Sequence, residues 1–225
     1  MNNKNKFKYA KIIKNMDSLR NLVYNIRFNY SVLLSAYEKR HKIKDIEYKQ
    51  ISCLLNNFIL TSSIIKQYIL SYEKDLSSAF IKTKKYIKTI NFLFEDEWYL
   101  ILLGLRNYLQ HIFELKLGFG NLMNENNEED LFIASFTLIK HEDAHKTKEN
   151  IAMYNYFKCF TFLPIMDFAS VIMELIDNFY EKYNKIIHSH YKSALAKYSN
   201  TDIDQYAMDM HEIYYNNINS FKKDL

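Results

Sequence analysis

The apolar and polar positions of the chain alternate mostly with the period of an α-helix. From about Lys6 to Arg40 the apolar residues recur every three or four positions, and the same spacing returns from about Asp45 to Tyr72. The first stripe comprises Ile12, Met16, Leu19, Val23, Ile26, Tyr30, Leu33 and Tyr37, and the second comprises Ile51, Leu54, Leu55, Phe58, Ile59, Ser62, Ile65, Ile69 and Tyr72. We therefore predict two long amphipathic helices whose stripes face a common core.

Two further helices are predicted in the middle of the chain. One covers about Ser78 to Phe92, and the acidic stretch 95–97 then opens an apolar helix that runs from Trp98 to about Lys116, because negative charge favours the first turn. The first of these carries four lysines on its outer faces, which are Lys82, Lys84, Lys85 and Lys88. Such a cluster is typical of a solvated surface, and an RNA-facing role is the alternative.

Turn residues and caps divide the second half of the chain. Gly118 and Gly120 are predicted to end the preceding helix, and 121–130 reads as a loop. The run 131–139 fits either a short strand or a buried helix. Pro164 suits the first turn of a long C-terminal helix, and Thr201 suits the N-cap of a last helix from about 202 to 221.

These elements predict an all-α fold, an elongated bundle of five or more helices with one short strand or hairpin near 131–140. Neither an internal repeat nor a change of composition marks a boundary, so 1–225 is expected to form a single domain. Only three glycines and one proline occur in 225 residues, which argues against sandwiches, barrels and glycine-rich phosphate-binding folds.

The cysteines and the hydropathy pattern indicate the compartment. Cys53 and Cys159 lie far apart without CxxC spacing, which argues against a disulfide scaffold and a cysteine-based zinc site. The N-terminus lacks the apolar region of a secretory signal, and no segment offers the roughly 18 consecutive apolar residues that span a bilayer. We expect a cytoplasmic protein that does not associate with membranes.

The net charge of +4 carries little information about function. Ile, Asn, Lys and Tyr are all abundant and all have AT-rich codons, so codon bias explains much of the lysine content. Arginine is the more informative cation, since only four occur, at positions 20, 27, 40 and 106.

One arginine lies in a segment with a recognisable chemistry, Leu105-Arg106-Asn107-Tyr108-Leu109-Gln110-His111-Ile112-Phe113. At about 100° per residue, Leu105, Tyr108, Leu109, Ile112 and Leu115 fall in one arc, and Arg106, Asn107, Gln110, His111 and Glu114 fall in the opposite arc. The polar residues therefore share one surface of the helix. A helix with one solvated face would show the same pattern.

The spacing of Arg106 and His111, with Asn107 next to the arginine, resembles the R-x4-H motif of the HEPN superfamily. The likeness extends to the setting, a helix late in an all-helical domain. It implies a metal-independent endoribonuclease without cofactors, acting as a toxin or antiviral defence effector, with a composite site at a homodimer interface. It also implies RNA as substrate and an antitoxin or other regulatory protein as a further partner.

The three residues suit that chemistry. Attack of a 2′-OH on the adjacent phosphate needs a base and an acid, and His111 can serve because an imidazole titrates near pH ~6.5. Arg106 can bind the negative charge of the transition state through its planar set of donors, and Asn107 can orient the phosphate or His111. Some HEPN toxins carry a Tyr two residues after the His, which their nucleotidyltransferase antitoxin modifies. Here Phe113 has no hydroxyl, so we expect a different form of control.

Two alternatives compete with the ribonuclease. The first is a non-catalytic helical module that binds RNA or a protein through the same surface. The second is a zinc hydrolase, since His141-Glu142-Asp143-Ala144-His145 matches H-E-x-x-H, with Glu174 as a further ligand. Lysines at 140, 146 and 148 make this stretch too polar for a buried zinc helix, so a solvated connection is the preferred interpretation.

Overall fold

A computed structural model of the protein describes residues 3–39, 45–112, 115, 117–121, 129–134 and 147–199. The elements in these segments are α1 (Asn3–Glu38), α2 (Asp45–Tyr72), a 3-10 turn (Glu73–Asp75), α3 (Ser78–Ile81), α4 (Lys84–Phe94), α5 (Glu97–Ile112), β1 (Leu117–Asn121), β2 (Glu129–Ala134), α6 (Lys148–Cys159), β3 (Phe162–Pro164) and α7 (Ile165–Ser199). The structure confirms the predicted helical bundle with a short hairpin.

Helices α1 and α2 form an antiparallel pair at one side of the bundle. The Asn29 side-chain amide donates to Thr61 Oγ1 at 2.9 Å, and the Tyr68 hydroxyl donates to the Asn15 carbonyl at 3.0 Å. The two helices therefore run in opposite directions. Helix α7 also packs against α1, and Arg27 of α1 contacts Asp177 of α7 at 2.9 Å. The buried side chains of all seven helices form one continuous core.

The burial pattern confirms most of the predicted stripes. The fully buried members of the first are Ile12, Leu19, Val23, Ile26 and Leu33, and those of the second are Ile51, Leu55, Phe58, Ile59, Ser62, Ile65 and Ile69. The remaining predicted members, Met16, Tyr30, Tyr37, Leu54 and Tyr72, lie half-buried at the edges of the stripes.

The single helix predicted over 78–92 is wrong, because the chain forms two helices there. The hydroxyl of Thr83 accepts a hydrogen bond from the Tyr86 amide at 3.3 Å and thereby starts α4 as a new helix. The break lets Phe80 and Tyr86, six residues apart, both enter the core with their rings 5.2 Å apart. All four lysines of this region are exposed, as predicted.

The prediction that glycines end the fourth helix near Lys116 is also wrong. Helix α5 ends at Ile112, and Gly118 and Gly120 lie in β1. Gly118 faces Phe132 across the β1–β2 ladder, and a Cβ atom at Gly118 would lie 2.2 Å from the phenylalanine ring. The glycine therefore makes room for an aromatic side chain in the sheet.

The ambiguous run at 131–139 is a strand as far as the structure describes it. Leu131 and Ile133 are buried and alternate with the half-buried Asp130 and Phe132, as in a strand with one face on the core. Pro164, predicted in the first turn of a helix, is instead the last residue of β3, and α7 begins at Ile165. The loop predicted over 121–130 is wrong at both ends, because Asn121 lies in β1 and Glu129 and Asp130 lie in β2, whose ladder extends the hairpin. Residues 122–128 of that loop and the predicted last helix at 202–221 lie outside the described residues.

Helix α6 was not predicted from the sequence. Only Met153 and Phe157 are fully buried along it, so its apolar stripe is short, and Thr147 caps its N-terminus by accepting from the Asn150 amide at 3.2 Å. Across the described part of the chain, none of the helices combines the length and the apolar character that a membrane crossing requires.

Candidate functional site

The two arcs predicted for α5 match its burial. Leu105, Tyr108 and Leu109 are buried, Arg106 and Asn107 are half-buried, and Gln110 is exposed. The backbone of His111 lies in the last turn of α5, five residues after Arg106, while its side chain is outside the described part of the structure. The helix therefore presents the arginine and the asparagine at the edge between core and solvent.

A close helix contact underlies this face of α5. A Cβ atom at Gly104 would lie 2.7 Å from both the carbonyl oxygen of Glu149 and the Cβ atom of Met153 on α6. Only glycine lets the two backbones approach to this distance. The contact brings the first turn of α6 next to Asn107.

A chain of hydrogen bonds connects the motif to α6. The Arg106 Nη1 group donates to Asn107 Oδ1 at 3.3 Å, and Asn107 Nδ2 donates to Asn150 Oδ1 at 3.1 Å. Both ends of the Asn107 amide are thus engaged within the protein, and Asn150 lies in the capped first turn of α6. This arrangement positions Asn107 and, through it, the guanidinium group of Arg106.

The acidic residue on this side of α6 is neutralised by a lysine from α2. Lys66 Nζ lies 2.8 Å from Glu149 Oε1, and both side chains are mostly buried, with 29% and 21% of their surface exposed. The hydrogen bond from Lys66 holds the pKa of Glu149 below its usual value, against the opposing effect of burial. The carboxylate of Glu149 is therefore engaged with Lys66 and not with Arg106.

Arg106 differs from the other arginines that the structure describes. Arg20 contacts Asp17 at 3.0 Å and Arg27 contacts Asp177 at 2.9 Å, whereas Arg106 has no carboxylate partner among the described residues. Burial raises the pKa of Tyr99 well above its usual value, and the positive charge of Arg106 opposes this rise. The guanidinium group of Arg106 thus favours the ionised form of the buried Tyr99 hydroxyl.

Helix α2, which packs on α5, carries a buried polar group that the sequence pattern does not predict. Ser52 Oγ donates to the Leu115 carbonyl at 3.1 Å and Tyr99 donates to the Ser62 carbonyl at 3.3 Å, so α2 runs antiparallel to the chain from Tyr99 to Leu115. Asn56, between Ser52 and Ser62, has a buried Oδ1 atom without a hydrogen-bond partner among the described residues. Asn56 is polar and does not belong to the apolar stripe of α2, so the sequence pattern does not mark it. Only the packing of the helices shows that its oxygen is buried.

The structure leaves the zinc alternative without a described site. His141, Glu142 and His145 lie outside the described residues, and within them no group of three His, Cys, Asp or Glu side chains is arranged to hold a metal ion. Cys53 and Cys159 are both exposed free thiols. His188 and His190 are both exposed on α7, and the His190 ring lies 4.3 Å from that of Phe80.

One described cleft lies away from the motif. It measures about 490 Å³, opens between α1 and α2 beside Ser31, Lys39 and Gln50, and includes no residue of the motif. No protein-family profile, functionally described protein or solved structure matches the chain significantly. The function is therefore argued from Arg106, Asn107 and His111 and from what surrounds them.

Proposed function

We propose that this protein is a metal-independent endoribonuclease of the HEPN type, a cytoplasmic toxin or defence effector. The observation that carries the proposal is the half-buried Arg106, which is held by Asn107 and lacks a carboxylate partner among the described residues. Withdrawing a cation from water is costly unless an anion compensates it, so this arrangement is suited to a phosphate that arrives with a substrate. His111 follows on the same polar arc.

The reaction uses the RNA's own 2′-OH as the nucleophile. His111 removes its proton while the oxygen attacks the adjacent phosphorus, and the bond from phosphorus to the 5′ oxygen breaks. A second imidazole, from the other copy of the chain, protonates that leaving oxygen. The products are a 2′,3′-cyclic phosphate end and a 5′-OH end, and Arg106 stabilises the negative charge of the transition state between them.

Asn107 serves this site as a positioning residue. Its oxygen accepts from Arg106 and its nitrogen donates to Asn150, so its amide is aimed at protein groups. It holds the guanidinium plane in place and connects it to α6. This role differs from the two predicted from the sequence, which were to orient the phosphate or His111.

The site is completed by a second copy of the chain. A homodimer that opposes the two α5 helices would supply both imidazoles, and Gln110 on this face is exposed. Because Phe113 lacks the hydroxyl that some antitoxins modify, a regulatory protein would act by binding rather than by modifying this position.

The decisive experiment measures cleavage of mixed RNA in EDTA by the wild type, His111→Ala and Arg106→Ala. We expect 2′,3′-cyclic phosphate ends from the wild type and a loss of at least ~100-fold in each variant, the usual effect of losing a general acid–base group or a charge-stabilising donor. Arg20→Ala is the matched control, because this exposed arginine pairs with Asp17 on α1. It should cleave like the wild type.

Other results would replace the proposal. Activity that EDTA abolishes, or that His145→Ala removes while His111→Ala remains active, would indicate the zinc hydrolase. Tight binding of RNA or of a protein partner without cleavage would indicate the non-catalytic module. Light scattering that shows only monomers under cleavage conditions would contradict the composite site.

A further inference from the structure

Helices α4 and α7 run antiparallel and carry facing rows of lysines. Aromatic contacts set the register, with ring centres 6.3 Å apart for Tyr86 and Tyr183 and 6.2 Å apart for Phe94 and Phe179. Lys182 of α7 reaches across to α4, where its Nζ atom lies 3.2 Å from the centre of the Phe92 ring. The sides of the two helices that bear Lys182 and Phe92 therefore adjoin.

Helical spacing places further lysines on these adjoining sides. Lys88 and Lys85 precede Phe92 by four and seven residues on α4, close to one and two whole turns. On α7, Lys185 and Lys192 follow Lys182 by three and ten residues, which places them about 60° and about 80° around the helix from it, on one outward side. Each of these lysines is exposed. We call the five the lysine seam, namely Lys85, Lys88, Lys182, Lys185 and Lys192. It extends about 15 Å along α7.

The charge of the lysine seam is not neutralised within the described structure. None of the ion pairs between described residues includes a seam lysine. Segments 82–94 and 178–192 together hold seven lysines and one acidic residue, Glu181, and therefore carry +6. Because the whole chain carries +4, the remainder is net −2.

A row of regularly spaced cations fits a partner with regularly spaced anions. Asn178, one turn before Lys182, and Ser189, between Lys185 and Lys192, are both polar and exposed, whereas a helix that inserts into a bilayer surface needs an apolar stripe there. Phosphates of a single-stranded nucleic acid are therefore favoured over lipid headgroups. The choice of RNA as that nucleic acid rests on the proposed function.

We propose that the lysine seam binds the phosphate backbone of single-stranded RNA at a distance from the proposed cleavage site. Helix α5 meets α7 near its start, where the rings of Trp98 and Phe168 are 6.4 Å apart. The first α7 lysine of the seam, Lys182, follows Phe168 by 14 residues, or about 21 Å of helix. The seam is thus a second, sequence-independent contact that would retain RNA whose scissile phosphate lies at Arg106.

The test measures RNA binding with cleavage disabled. Fluorescence anisotropy would follow a labelled single-stranded RNA on the full chain carrying His111→Ala, with and without Lys85→Gln, Lys88→Gln and Lys185→Gln together. We expect the triple variant to bind about tenfold or more weakly, and its plot of log affinity against log salt to be shallower by about 2, because each lost phosphate contact contributes ~0.7. Lys182 is kept because it covers Phe92.

The matched control removes three exposed lysines elsewhere, Lys14, Lys49 and Lys158, with the same change in net charge. It should leave the affinity within about threefold and the slope unchanged. Equal losses in both triple variants would overturn the proposal, as would a seam variant that loses binding to vesicles of phosphatidylcholine and phosphatidylserine but not to RNA. If the wild type cleaves RNA but binding does not depend on the seam lysines, only the proposed RNA contact of the seam is refuted. If binding depends on the seam lysines but the wild type does not cleave RNA, only the proposed ribonuclease function is refuted.

Discussion

Cations at the α5/α6 contact are half-buried and have protein partners, whereas those at the α4/α7 contact are exposed to solvent. At the first, Lys66 and Arg106 are half-buried and are held by Glu149 and Asn107. At the second, the lysine seam faces solvent without a carboxylate partner among the described residues. In a chain rich in lysine, abundance of cations says little about function. Burial and the identity of the partner distinguish a cation that positions other groups from one that is available to a ligand.

The two contacts also differ in how the helices approach each other. Gly104 allows α5 and α6 to pack backbone against backbone, so short amides can bridge them. Large rings separate α4 from α7, among them Tyr86 and Tyr183, whose centres are 6.3 Å apart. The first geometry suits a fixed site with defined distances. The second leaves the lysines of both helices exposed to solvent.

Gly104→Ala should give the largest effect. Alanine normally stabilises a helix relative to glycine, but here its methyl group would meet the Glu149 carbonyl oxygen, so α6 must shift. We expect a loss of about 1–3 kcal/mol in the free energy of unfolding. Urea titration measures it, with Gln110→Ala on the exposed side of α5 as the control. A gain in stability would show that the close approach is absent.

The Asn107–Asn150 hydrogen bond should appear as a coupling of about 1 kcal/mol in a double-mutant cycle. The variants are Asn107→Ala, Asn150→Ala and the pair, compared by unfolding free energy. The exposed Asn155 of α6 provides the control partner, and its cycle with Asn107 should give no coupling. Strictly additive effects at Asn107 and Asn150 would remove the proposed link from Arg106 to α6.

Replacing the ion-paired Lys66 should destabilise the protein more than replacing a lysine of the seam. Lys66→Gln breaks a mostly buried ion pair and should cost about 0.5–1 kcal/mol, whereas Lys185→Gln should change the unfolding free energy by less than ~0.5 kcal/mol. Both replacements remove one charge and keep a similar length, so they are matched. Equal losses would mean that Lys185 has a structural partner and would weaken the proposed binding surface.

The smallest expected effect is a pH dependence carried by Glu149. Since the folded state lowers its pKa, its contribution is present above the unfolded value of about 4.3 and is lost as pH falls through the folded value. Between about pH 5 and pH 3, the unfolding free energy of Glu149→Gln should therefore fall by about a few tenths of a kcal/mol less than that of the wild type. Unfolding at several pH values tests this. Parallel curves for both proteins would contradict it.

Local patterning accounts for much of the fold. The stripes of α1 and α2 have long, regular spacing, and α2 begins and ends at the predicted Asp45 and Tyr72. The polar face of α5 was also predictable, because burial along one helix follows the 3.6-residue period. The breaks and turns were less accessible. The sequence does not distinguish Thr83 from other helix residues, but in the structure its side chain caps α4. Gly118 has the sequence features of a helix terminator, but in the structure it makes room for Phe132 in the sheet.

The sequence by itself determined the helical class of this protein, its two long helices and the polar arc with Arg106 and Asn107, because all of these depend on neighbours within two turns. Only the tertiary structure decided which partners those residues meet. Asn107 contacts Asn150, 43 residues away, and Lys182 reaches Phe92 on another helix. Helix α6, with its short apolar stripe, is stabilised mainly by packing on α5. Contacts of this range depend on how whole helices fit together, which no local period encodes.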